Sequence, residues 1–153
     1  MRLRNLIVFF LALTSVFAAC NSVYGKPAAN PDAVVGYWLT EGGKAKIQIY
    51  KNGEKYFGKI VWVEKPNDEN GKPKLDRNNP DKNLRNRPIV GLLLLRNFKH
   101  AGKNVWDGGN IYDPESGKDY SCTMTLLSEN KLEVRGYVGI SLLGRSQTWT
   151  RAQ

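Results

Sequence analysis

From residue 34 onward the apolar positions fall on every second residue, the period of a strand with one face buried. Ala45, Ile47 and Ile49 alternate with Lys44, Lys46 and Gln48. Tyr120, Cys122, Met124 and Leu126 alternate with Ser121, Thr123 and Thr125, and Leu132, Val134 and Gly136 with Glu133, Arg135 and Tyr137. Turn residues punctuate these runs. Asn52-Gly53 is the pair a two-residue type I′ hairpin requires, because both central residues need positive φ. Asp113-Pro114-Glu115-Ser116-Gly117 and Ser128-Glu129-Asn130-Lys131 are turn clusters of the same kind. Val34–Thr40 predicts the opening strand and Ile89–Phe98 the fourth. Tyr56–Val63 is apolar on both faces near its end, which predicts burial deep in the sheet or under a loop. Arg145–Arg151 reads as a last strand almost free of aliphatic residues.

About eight strands joined by short turns make an antiparallel meander, and such a sheet removes its own edges by closing. The expected fold is therefore all-β, a single antiparallel barrel of about eight strands, with an interior that is filled or holds one small ligand. Glu64–Pro88 differs in kind. It holds four prolines, many Asn and Asp residues, and only Leu75 and Leu84 as large apolar groups. A loop of this length predicts an ordered functional segment lying across the outside or one mouth of the barrel, or disorder. Asp76–Asp81 suits Asx turns, and Pro80–Arg85 one helical turn. Asp68, Asp76 and Asp81 lack the spacing of a calcium loop.

The first residues change the picture from a bare domain to an exported one. Arg2 and Arg4 precede the apolar run Leu6–Leu13, with small residues at Ala18 and Ala19, which is the layout of a secretory signal. The expected division is a signal at 1–25, a flexible leader at 26–33, mobile or lightly docked, and a barrel domain at 34–153. Cleavage after Ala18 or Gly25 gives a soluble periplasmic protein of a Gram-negative bacterium. Phe17-Ala18-Ala19-Cys20 offers the rival outcome, lipidation at Cys20 and an outer-membrane lipoprotein, the only route by which a membrane would enter as a partner. Net charge is +9, yet the lysines are scattered through turns, which predicts a solvated surface and no nucleic-acid partner. The single His100 lies in a polar run, read as a solvated loop, and no Cys/His set spaced for a metal accompanies it, so neither metal nor cofactor is expected.

Two resemblances rest on particular residues. Gly36-Tyr37-Trp38 on the first strand, with Arg151 on the last, resembles the closed base of calycins such as lipocalins. The resemblance implies that the Trp38 face plugs the barrel while Arg151 stacks on it. A second covers Gly36–Arg151, through Gly58–Trp62, Asn79-Pro80-Asp81, Leu84–Pro88, Trp106–Gly109, Ile111–Pro114, Gly117-Lys118, Gly136–Ser141 and Gly144–Arg151. These stretches resemble the bacterial exported proteins labelled domain of unknown function 2147, which implies a class and no particular activity. Members of that family often carry a Cys pair around the second and third strands; Lys51–Phe57 here contains no Cys, so the resemblance implies no such disulfide.

Candidate chemistry is sparse. Ser141 and Cys122 lack a nearby His, which excludes a triad. Asp107, Asp113 and Arg145 form the one conceivable catalytic constellation, against which stands their ordinary role in turns. For binding, Trp62, Arg135, Tyr137, Arg145, Gln147 and Trp149 are the candidates, with a small apolar or anionic amphiphile as ligand. The other reading is a filled barrel whose Glu64–Pro88 loop docks an envelope protein or a cell-wall polymer.

Overall fold

The computed structural model describes residues 30–140, 142 and 144–153. The expected signal, the Cys20 lipidation site, residues 26–29 of the leader and Ser141 lie outside them. The eight strands are β1 Gly36–Leu39, β2 Ala45–Asn52, β3 Lys55–Val63, β4 Leu93–His100, β5 Val105–Asp113, β6 Lys118–Ser128, β7 Lys131–Tyr137 and β8 Arg145–Ala152. Every strand pairs with its sequence neighbour, and β1 pairs antiparallel with β8, so the sheet is a closed barrel. Two short 3-10 turns, Glu41–Gly43 and Lys82–Leu84, accompany the strands, the second capped by the Asp81 side chain.

Alternation decides which residues enter the interior. Ile47, Ile49, Tyr56, Ile60, Leu95, Phe98, Trp106, Cys122, Met124, Leu132, Val134 and Trp149 are buried in one cluster with Trp38. Glycines on inward faces make room for the large side chains. A Cβ on Gly109 would lie 2.4 Å from the Phe98 ring, and one on Gly58 would lie 2.8 Å from Leu95. Small residues facing large ones is how a narrow barrel fills its taper.

Several expectations need correction. β4 starts at Leu93 rather than Ile89, because Leu92 N–H bonds back to the Ile89 carbonyl in a turn. The end of β3 is not buried on both faces. Ile47 pairs with Ile60 but Lys46 with Trp62, so Val61 is an extra residue in a bulge and Trp62 turns outward, 44% exposed. A bulge of this kind breaks the period of two from which burial was read. His100 is no loop residue: it ends β4 and tilts against Trp106 at 5.3 Å. The leader's last residues are docked, since Asp32 accepts from the Tyr56 hydroxyl at 2.6 Å and the Pro31 carbonyl from the Trp106 indole at 3.0 Å.

The Glu64–Pro88 loop lies against the outside of the barrel. Leu75 bridges Pro88 and Asn67 bridges Pro73, which folds the loop on itself. Asp76, fully buried, ties it down. Its carboxylate accepts from the Tyr112 hydroxyl at 2.6 Å, from Asn79 at 2.8 Å and from Arg87 at 2.9 Å. Burial pushes the Tyr112 phenol up to about 12, with its bond to Asp76 adding to the effect. Asn78 donates to the Glu115 carbonyl in the β5–β6 turn, and Gly117 packs so closely beneath it that a Cβ would meet the Asn78 carbonyl oxygen at 1.9 Å.

Candidate functional site

The two ends of the barrel differ in chemistry. The closed end is built from Trp38, whose indole N–H donates to the Val34 carbonyl at 2.8 Å. The Arg151 guanidinium covers the Trp38 ring at 4.3 Å. It also donates to the carbonyls of Ala33 at 2.7 Å, Val35 at 3.2 Å and Glu129 at 2.8 Å. Gly36 fits here because its φ is +137° and a Cβ would press on the Arg151 guanidinium at 2.9 Å. Gly36, Trp38 and Arg151 thus come together, and the base is sealed.

The six candidate binding residues do not come together. Trp149 is buried and fixes the facing of β8, so Gln147 and Arg145 share its inward face toward the open end. The Trp149 indole N–H donates to Gln147 Oε1 at 3.0 Å, which places the two on one side. Arg135 and Tyr137 pair with Ser146 and Ser121, whose faces are opposite to the buried Val134 and Cys122. They lie on the outer surface, where Arg135 donates to the Ser146 hydroxyl at 3.0 Å. Trp62 stands on the outer face of β3. The interior is filled by Trp38, Trp106 and Trp149, with Arg145 and Gln147 at the open rim and Trp62 and Tyr137 turned outward. Trp106 was legible as an apolar residue but not as an interior one, because the bulge at Asp107-Gly108 interrupts its strand.

Asp107, Asp113 and Arg145 are likewise separated. Asp107 and Asp113 are six residues apart on one strand, roughly 20 Å when extended. Asp107 accepts from the Thr123 hydroxyl and its neighbour's N–H, and Asp113 from Ser116 and the Glu115 N–H. Each is used as a local cap. Burial pushes the Cys122 thiol up to about 12, which removes it as a nucleophile. Among the described residues no cluster of three or more His, Cys, Asp or Glu side chains is placed to hold a metal.

Among solved structures, the chain is similar to one described as "Protein HP1028 from the human pathogen Helicobacter pylori belongs to the lipocalin family". The TM-score is 0.67 at 24% identity, covering 82% of this chain and 84% of that one. At that identity the likeness shows the fold alone. A comparison with curated proteins finds no match. Residues 36–151, from the glycine that seats Arg151 to Arg151 itself, match the family described as "Uncharacterized protein conserved in bacteria (DUF2147)", and the chain belongs to that family.

Proposed function

We propose that the protein is a non-catalytic binding module, exported to the periplasm of a Gram-negative bacterium, that holds an anionic amphiphile at the open rim of its barrel. The observation that carries this reading is the inward face of β8. Arg145 makes no ion pair among the described residues and shares the inward face of β8 with Gln147, which lies between it and the buried Trp149. A fork-shaped cation above an apolar floor suits a carboxylate or phosphate with a short hydrocarbon end. Because the interior below is filled, the ligand sits shallowly and keeps most of its tail outside. Titration with a fluorescent fatty acid, together with native mass spectrometry, tests this. Arg145→Ala and Gln147→Ala should each weaken binding about tenfold, in line with the loss of a charge-assisted bond. Saturable binding that neither variant changes would remove the rim from consideration. Intact mass of protein taken from the native envelope separates the two export outcomes: a diacylglycerol and acyl chain on Cys20, or an N-terminus at Ala19 or Lys26.

A second reading rests on the outer face of β1–β3. Tyr37 and Trp62 are exposed there, Lys46 pairs beside Trp62, and Lys59 lies over the Tyr50 ring at 6.0 Å. Aromatic planes interleaved with lysines suit an acidic envelope polymer. Co-sedimentation with insoluble cell-wall polymer, lost in Trp62→Ala but kept in Gln147→Ala, would favour it over the rim.

A further inference from the structure

The loop between β7 and β8 exposes three large apolar side chains at the open end. Val138 is 69% exposed, Ile140 61% and Leu142 84%. The barrel has no vacancy for them, since its inward positions are already occupied by Trp149, Ile111 and their neighbours. Single exposed apolar residues are ordinary, but three at alternate positions of one loop form a tip that some other surface must cover.

The charge around the tip says which surface. From Val134 to Gln153 the sequence contains no Asp or Glu, while Arg135 and Arg145 flank the loop on either strand. Of the carboxylates around it, Asp119 pairs with Arg96, Asp113 caps its own turn and Asp107 accepts from Thr123, while Glu133 lies two residues before Arg135 on the outer face of β7, farther from the tip. Glu41, on the 3-10 turn packed against β8, is the one acidic side chain this turn brings to that strand. A second copy of the chain fits this tip poorly, because each carries a net charge of +9 and presents the same arginines.

We propose that this tip docks on the surface of an anionic lipid bilayer. Val138, Ile140 and Leu142 enter the boundary between headgroups and acyl chains, and Arg145, at the start of β8, reaches a lipid phosphate beside them. Tyr137, half-buried at the loop's start, suits the headgroup level where aromatic rings with a polar end collect. The proposal goes beyond ligand binding at the rim and stands whether or not the rim holds an amphiphile. If both hold, the rim faces the bilayer.

The test is co-sedimentation with phosphatidylcholine vesicles, with and without phosphatidylglycerol. It uses the chain from Asn30, from which every described contact is built, and also the full chain, where Leu6–Leu13 adds the same increment to every variant. Binding should require phosphatidylglycerol and weaken as salt rises. The pair Ile140→Asp/Leu142→Asp should lower it at least tenfold with an unchanged circular dichroism spectrum, and Arg145→Glu should lower it severalfold. Leu127→Asp, at the opposite end of the barrel and 55% exposed, should bind as the parent does. Gln147→Ala should also bind vesicles as the parent does while holding the fluorescent fatty acid about tenfold more weakly, which keeps failure here distinct from failure of the rim reading. Absence of vesicle binding, equal binding without phosphatidylglycerol, or indifference to the Ile140→Asp/Leu142→Asp pair would overturn the proposal. So would a concentration-dependent dimer, seen by sedimentation and abolished by that pair.

Discussion

Trp38 has no exposed surface, and its ring lies between the interior and the Arg151 guanidinium. Trp38→Ala should therefore cost roughly 3–5 kcal/mol, the sum of lost burial and a residual cavity. Arg151→Ala strands carbonyls at Ala33, Val35 and Glu129 and should cost roughly 1–3 kcal/mol. Urea unfolding midpoints measure both; an unchanged midpoint for either would remove the clasp from the account of stability. Tyr112 predicts a pH dependence. Its folded pKa is raised from 10.0 to about 12, because burial favours the neutral phenol. The stability it brings is intact below pH 10 and is lost as pH rises toward 12. Unfolding free energy should thus fall more steeply across that window in the parent than in Tyr112→Phe. Cys122 should resist alkylation natively and label fully in denaturant, read on its own peptide.

The strands were largely legible because a half-buried strand prints its period directly on the chain. Trp62 was not, since one extra residue at Val61 inverts the facing of the residues after it, and nothing in Gly58–Val63 marks where the ladder slips. The loop was legible only as a loop. Its anchor joins Asp76 to Tyr112, 36 positions apart, and contacts at such separation leave no periodic trace. The clasp was readable because a Gly-x-Trp and a terminal Arg have one common use in closed barrels. The rim was half readable: Arg145 and Gln147 stood out as polar groups on a strand, but facing could be assigned only once Trp149 was seen to be buried. For the loop itself, Asp76→Ala leaves Arg87 and the Tyr112 hydroxyl without their shared acceptor. It should cost roughly 3 kcal/mol and open Glu64–Pro88 to limited proteolysis before the barrel unfolds. Cleavage elsewhere first would mean the loop is held by other contacts.

At the scale of the molecule, the barrel is a closed body whose interior is occupied by Trp38, Trp106 and Trp149. Closure has a further consequence, for the order in which the chain can become protein. β1 finds its second neighbour only in β8, through Trp38 opposite Arg151 and Tyr37 opposite Ala152. During synthesis the first seven strands are available while Arg145–Ala152 is still absent, so β1 and β7 stand as open edges able to pair with another chain. The last eight residues of sheet are thus a zip fastened at the end of synthesis, and a chain shortened before Arg145 is left permanently unzipped.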